Sequence, residues 1–313
     1  MKPQLEHILG IGRIQEQFDL FPFLSMRLHT KAEYFFEAKT KQDLLASIQA
    51  ADKLKIPLVM LGGGSNLVFH ASHVDGLVVK NSYSDMHIVS ETEKDIDIEV
   101  GGGMNMALLI QHLEEKGYSG LEYQKGLPGT VGGGVYMNSK WTHPVSYVGD
   151  CVQSAILADG KGIEKKVDRA YFEFAYDYSK LQDTHEYVIS VVFHLEKLDS
   201  KLVTERALNA QAYRHKTQPF GKPTCGCFFR NISEDTQKKY NLPTKSAGYL
   251  IDQAGLKGTT IGSFTVSSAH ANFIQNTGVG EARPEDLKKL AELIKEKVKA
   301  KFNIQLEEEV QIM

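Results

Sequence analysis

The stretch LGGGSNLV, residues 61–68, runs from an apolar segment into three glycines and then two side chains able to donate hydrogen bonds, Ser65 and Asn66. Glycine serves where the backbone has to turn at positive φ or come close to a ligand. Successive N–H groups in such a turn form a concave nest for an anion. The turn lacks the Gly-Lys-Ser/Thr ending of a nucleoside-triphosphate loop and the G-x-G-x-x-G spacing of a dinucleotide-binding Rossmann unit. Taken alone, it reads equally well as a tight turn between strands.

A second cluster changes that balance. GLPGTVGGGV, residues 126–135, carries five glycines in ten positions with a proline and a threonine. Two glycine turns, each after a predicted strand, suit the two sides of a pyrophosphate. This points to a dinucleotide held outside a Rossmann fold.

The surrounding pattern is α/β. Residues 33–39 read as a strand, and Thr40 with Asp43 makes a capping box for a helix whose apolar stripe is Leu44, Leu45, Ile48, Ala51 and Leu54. PLVML, 57–61, reads as a buried strand entering the first glycine turn. DIDIEVGGG, 95–103, alternates as a strand does, 106–117 reads as a helix closed by glycine, and 186–196 reads as another strand. The chain turns polar at 198–206, where a domain boundary is expected. Beyond it, RPEDLKKLAELIKEKVKAKF places Leu287, Leu290, Ile294 and Val298 on one helical face, its alternating charges reading as a solvated face. IQLEEEVQI, 304–312, reads as an acidic terminal strand.

At 313 residues with 42 % apolar content the chain is long enough for two or three compact lobes with real cores. The net charge of −3 and the dispersed basic residues argue against a nucleic-acid partner. No apolar run is long enough to span a bilayer, and the first residues do not read as a signal peptide, so neither membrane nor secretion is expected. Three cysteines make no disulfide framework and fit a reducing cytoplasm.

Two of those cysteines stand in PTCGCFFRN, 223–231. From the residues alone, Cys227 reads as a small buried hydrophobe or as an acid. A metal site needs about four ligands, and no histidine with paired spacing lies near, so no metal is expected. A disulfide between positions this close is geometrically awkward.

Four segments, LGGGSNLVFHASHVDGLVVKN (61–81), GLEYQKGLPGTVGGGVYMN (120–138), GYLIDQAGLKGTTIGSFTVSSAHANFIQN (248–276) and FNIQLEEEV (302–310), together resemble the UDP-N-acetylenolpyruvoylglucosamine reductase family, also called UDP-N-acetylmuramate dehydrogenase. The likeness runs in order from about residue 20 to the end, and the compact 196–223 segment is similar to the shorter subtype that lacks a tyrosine-bearing insertion. The resemblance implies an α+β protein: the two-lobed FAD-binding fold of the vanillyl-alcohol oxidase type plus an α/β substrate-binding domain. The expected division is 1–80 and 81–200 for the two lobes, with 303–313 returning to the FAD region, and 201–302 for the substrate domain.

It further implies a cytoplasmic enzyme of peptidoglycan synthesis whose partners are a nucleotide-sugar substrate and NADPH, with FAD as cofactor. FAD is expected across Gly62, Gly63, Gly64, Ser65, Asn66 and Leu67, and across Gly126, Pro128, Gly129, Thr130, Gly132, Gly133 and Asn138. A hydride passes from the flavin to the enolpyruvyl CH2, and a protein acid protonates the neighbouring carbon. Cys227 falls where the family has a serine acid, and Glu309 on its catalytic glutamate. Asn231 and Asn272 fall on substrate-contacting positions. Asp177, in FAYDYSKLQ, takes the place of a family arginine that stabilises the enolate, and Arg214, Arg230 or a bound monovalent cation are the candidates to replace its charge. His270 reads as a positioning group. MNSKWTHP also departs from the family pattern, with Trp141 and His143 read as surface packing. Asp177 leaves room for an FAD oxidoreductase of the same fold with another substrate. A non-catalytic nucleotide-binding protein is the other alternative.

Overall fold

The computed structural model describes residues 1–313. The chain forms two compact units: Met1–Phe18, Ala32–Gly63 and Asp75–Arg214 make the first, and Asp19–Lys31, Gly64–Val74 and His215–Met313 the second. Both mix helices and sheets, so the class is α+β.

The first unit contains a four-stranded sheet in the order Gln15–Asp19, Lys31–Ala38, His73–Asn81, Leu58–Leu61. The helix Lys41–Leu54 starts where expected: the Thr40 hydroxyl accepts the Asp43 N–H at 3.1 Å, and the Asp43 carboxylate accepts the Thr40 N–H at 3.3 Å. Each half of the box satisfies a donor that the helix itself leaves open. Leu44, Ile48 and Ala51 are buried beneath it. Leu58–Leu61 runs parallel to the second half of His73–Asn81 with Leu61 opposite Lys80, which brings a lysine alongside the start of the glycine turn.

A six-stranded sheet follows in the same unit. Its main order is Glu164–Asp168, Val152–Ala158, Tyr187–Lys197, Asp95–Gly101, Met86–Glu91, and Tyr118–Ser119 joins Tyr187–Lys197. Period-2 alternation decides its faces. Ile96, Ile98 and Val100 point into the core, while Asp97 reaches the outer face, where it meets His194 Nδ1 at 2.7 Å. The helix Met106–Lys116 covers the apolar face with Leu109, Ile110 and Leu113 and ends at Gly117, φ +74°.

The polar run 198–206 is mostly helical. It opens the helix Ser200–Thr217, within which the two units divide, between Arg214 and His215. The helix buries only Val203, Ala207, Ala210 and Arg214. Two of its four buried residues are alanines and one is charged, so it lacks the broad apolar stripe by which a helix is read.

In the second unit, a four-stranded antiparallel sheet runs Thr224–Cys227, Phe273–Asn276, Phe264–Val266, Thr260–Ile261. The helix Pro284–Phe302 lays down the expected face: Leu287, Leu290, Ile294 and Val298 are all fully buried. The terminal run 304–312, expected as a strand throughout, buries Ile304, Leu306 and Val310, but its ladder is limited to Gln311–Ile312, parallel to Leu67–Val68, and one bridge from Glu308 to Phe229.

Candidate active site

The first glycine turn is built by close backbone contact. A Cβ on Gly63 would lie 2.4 Å from the Cα of Gly129, and one on Gly62 would lie 2.7 Å from Thr130 Oγ1. The two glycine loops expected to share a ligand therefore touch through bare backbone. A third run, Gly101–Gly103, supports the second loop from behind: Gly132 N–H donates to Gly102 O at 2.8 Å and Val131 N–H to Met104 O at 2.9 Å. In the sequence this third run looked like nothing more than the end of a strand. Thr130 precedes the helix Val131–Met137 but its hydroxyl caps nothing. The Oγ1 is buried and has no hydrogen-bond partner within the protein. Gly133 has no neighbour at its Cβ position closer than that oxygen, at 3.7 Å. Lys80 donates to Gly62 O at 2.6 Å and to Asn81 O at 3.4 Å, and burial holds its ammonium below the usual lysine range. Lys80 lies near the end of the 61–81 segment, outside the glycine turn itself; the register opposite Leu61 puts it here.

Arg214 belongs to this same unit. It is 8 % exposed, with its guanidinium carbon 4.3 Å above the Trp141 ring, and a Cβ on Gly126 would press against its side chain at 3.2 Å. Burial lowers its pKa to about 10. Trp141 is thus no surface residue: it is 3 % exposed and packed under a cation, while His143 stacks at 4.8 Å on Tyr213. Asn138 is buried and acts as a bracket, accepting Gly149 N–H at 3.0 Å and donating to Ala175 O at 2.8 Å.

That bracket holds the FAYDYSK turn. Ala175 and Tyr178 exchange backbone hydrogen bonds across Tyr176 and Asp177, and Asp177 sits at φ +49° with 7 % exposure. Aspartate is among the few side chains that tolerate the left-handed region. The backbone therefore gives a local reason for aspartate here, and an aspartate supplies no positive charge. Ser179 closes the turn by donating to Tyr136 O at 2.7 Å.

The second unit holds the rest of the LGGGSNLV turn. Gly64 has φ +61°, and a Cβ there would lie 2.0 Å from Phe23 O, so no other residue fits. Asn66 is spent on the terminal segment: Gln311 N–H donates to its carbonyl at 2.9 Å, and its Nδ2 donates to Glu309 O at 3.3 Å. Leu67 O accepts the Cys225 thiol at 3.7 Å.

Cys227 ends the strand Thr224–Cys227. Thr224 faces Gln275 and Cys227 faces Phe273, so three steps on one strand match two on the other. Gly226, at φ +82°, absorbs the extra residue. A bulge of this kind re-aims side chains. It separates two cysteines that a regular strand would place on one face. Cys225 is buried and its thiol is pushed up to about 12 by desolvation, whereas Cys227 is partly exposed. The next residue fixes the acid segment: Glu309 N–H donates to Phe228 O at 2.9 Å, and Arg230 N–H donates to Glu307 O at 2.9 Å. Cys227, Arg230 and Glu309 are thereby brought onto adjoining segments of one unit. Lys295 pairs with Glu308 on the same segment.

The two asparagines expected at substrate have structural partners. Asn272, 2 % exposed, uses its amide on both main-chain groups of Phe229, accepting N–H at 2.9 Å and donating to O at 2.7 Å. Asn231 Oδ1 accepts Ala247 N–H at 3.0 Å, at the start of the helix Ala247–Gln253. His270 Nδ1 accepts Asn272 N–H at 3.3 Å, and burial lowers its pKa, which favours that neutral acceptor.

The first unit suits a flavin dinucleotide on its own geometry. Two loops meet through glycine backbone, a buried hydroxyl between them has no protein partner, and a lysine stands behind the turn.

Known proteins agree with this reading. An FAD binding domain model matches residues 32–168, and a model of the C-terminal domain of UDP-N-acetylenolpyruvoylglucosamine reductase matches 218–313. The UDP-N-acetylenolpyruvoylglucosamine reductase of Chlamydia felis is 33 % identical over 294 residues, covering 94 % of this chain and 92 % of that protein. Its counterpart in Chlamydia muridarum is 35 % identical over 300 residues, covering 96 % and 94 %. The crystal structure of the Thermus caldophilus reductase superposes with a TM-score of 0.78 at 26 % identity, covering 96 % of this chain and 98 % of that one. No helix is long and apolar enough to cross a membrane. With a C-terminal acid segment and a glycine-built FAD domain in the same order as these relatives, the chain belongs to the UDP-N-acetylenolpyruvoylglucosamine reductase family of FAD-dependent oxidoreductases.

Proposed function

We propose that the chain reduces UDP-N-acetylglucosamine enolpyruvate to UDP-N-acetylmuramate with NADPH as the reductant, a cytoplasmic step of peptidoglycan precursor synthesis, and that Cys227 is its proton donor. Bound FAD supplies the hydride, having been reduced by NADPH. Every other demand of the reaction falls on the chain. Once a hydride has added to the vinyl CH2, the neighbouring carbon carries an electron pair delocalised into the carboxylate as an enolate. The Cys227 S–H bond then breaks, the new C–H bond forms, and the thiolate regains its proton from water. A thiol, with a reference pKa of about 8.5, is a far stronger acid than the serine hydroxyl of the family pattern. Glu309 polarises the enolpyruvyl group.

Arg230, three positions after Cys227, supplies positive charge to the developing enolate in place of the family arginine, because Asp177 cannot. Asn272 and Asn231 act one step back, by holding Phe229 and Ala247. The FAD grip consists of Gly62, Gly63 and the loop from Gly126 to Gly133. The observation that carries this reading is the 2.9 Å hydrogen bond from Glu309 N–H to Phe228 O, which ties the glutamate to the residue after Cys227.

The direct test is NADPH oxidation by the FAD-loaded protein with the enolpyruvyl nucleotide sugar. Turnover is expected, and its absence rules the assignment out. A finer test separates the half-reactions by stopped flow. Glu309→Gln is expected to reduce its flavin with NADPH at the wild-type rate but to reoxidise with substrate about ten- to a hundredfold more slowly, at or below the range of general acid–base effects. An unchanged reoxidation rate removes Glu309 from the chemistry.

A further inference from the structure

We infer that Lys80 is a cofactor-affinity residue: it locks the Gly62 carbonyl inward, which turns the following N–H outward for a phosphate of the dinucleotide, and it backs that turn with positive charge. The inference rests on the FAD reading of the first unit and goes beyond it, since that reading gives Lys80 no role.

The geometry carries it in three steps. First, the Lys80 ammonium donates to Gly62 O at 2.6 Å from a position set by the parallel pairing of Leu61 with Lys80. The clamp is therefore built into the sheet and does not depend on a mobile side chain finding the turn. Second, the Gly62–Gly63 peptide is trans, the sole cis bond being His143–Pro144. In a trans peptide the C=O and N–H point in opposite directions. With its carbonyl held by Lys80, that peptide directs the Gly63 N–H to the far side of the turn, where it makes no hydrogen bond within the protein. Third, a separate group points to a ligand at the same place. Thr130, 4 % exposed, brings a partnerless Oγ1 to the Gly62 backbone from the other loop. One N–H and one O–H thus stand ready at the contact of the two loops, with a cation behind them.

Such a set suits a phosphoryl oxygen, which accepts both hydrogen bonds and is attracted to the charge. The lysine donates to two carbonyl oxygens, Gly62 O and Asn81 O. Desolvation disfavours its charged form, with Glu37 a weaker opposing influence. A bound phosphate relieves that penalty, so lysine charge and cofactor support each other.

The experiment measures FAD binding to deflavo-protein by flavin fluorescence, together with thermal melts of the apo and FAD-loaded forms. Lys80→Met is expected to raise the FAD dissociation constant at least tenfold and to shrink the rise in melting temperature on adding FAD. Lys80→Gln keeps an N–H donor for Gly62 O without the charge, and is expected to fall between Lys80→Met and wild type. FAD binding by Lys80→Met within twofold of wild type overturns the inference. So does a variant whose apo form loses as much thermal stability as its loaded form, because that marks a purely structural lysine. Should the wild-type protein itself bind no FAD, it is the cofactor reading that fails.

Discussion

Replacing Cys227 by alanine is expected to leave flavin reduction by NADPH at its wild-type rate and to slow reoxidation by the enolpyruvyl substrate a hundredfold or more, the usual contribution of a positioned general acid. Cys227→Ser should retain part of the activity, since an alcohol donates the same proton less readily. The structure makes the experiment selective. Cys151 and Cys225 are both pushed up to about 12 by burial, so neither thiol ionises near neutral pH. Thiolate is the reactive form of cysteine. A thiol reagent applied to the native protein should therefore modify Cys227 first, inactivate the enzyme, and be blocked by substrate. The bulge at Gly226 is what separates this cysteine from its buried neighbour two positions earlier. A Cys227→Ala protein that reoxidises at the wild-type rate with substrate removes the donor role outright.

The sequence announced features that depend on neighbours in the chain. The capping box at Thr40 and Asp43, the buried face of Pro284–Phe302 and the glycine turns all obey local rules of spacing, and the structure contains them. It hid whatever depends on distant partners. Nothing local says that 19–31 and 64–74 leave the first half of the chain to pack in the unit formed by 215–313. Nothing local says that Leu61 pairs with Lys80 or that Glu309 is fixed by Phe228. Ser200–Thr217 was obscured for a different reason, because its buried side is mostly alanine and arginine. Trp141 looked superficial because a cation–π contact with Arg214 leaves no periodic trace. Asp177 looked only like a lost arginine until its φ of +49° gave the position a backbone requirement of its own.

The glycine at position 63 should be the least replaceable part of the cofactor grip that lies wholly within the first unit. Gly63→Ala places a methyl group 2.4 Å from the Cα of Gly129, with the Gly129 carbonyl carbon and nitrogen at 3.0 and 3.3 Å. All three obstacles are backbone atoms, so no rotamer change relieves the clash, and the two loops must move apart. Overpacking of this kind costs about 1–3 kcal/mol. Here the cost falls on the spacing that brings Thr130 Oγ1 against Gly62. The FAD dissociation constant is expected to rise at least tenfold, equivalent to about 1.4 kcal/mol, with a lower melting temperature for the loaded protein. Gly160→Ala is the matched control: a Cβ there meets nothing within 4 Å and its φ is not in the left-handed region. That change should be neutral or stabilise by about 0.4–1 kcal/mol through the unfolded chain. If Gly63→Ala binds FAD as tightly as Gly160→Ala does, the close contact of the two loops serves only the fold, and the grip on the cofactor has to come from the second loop alone.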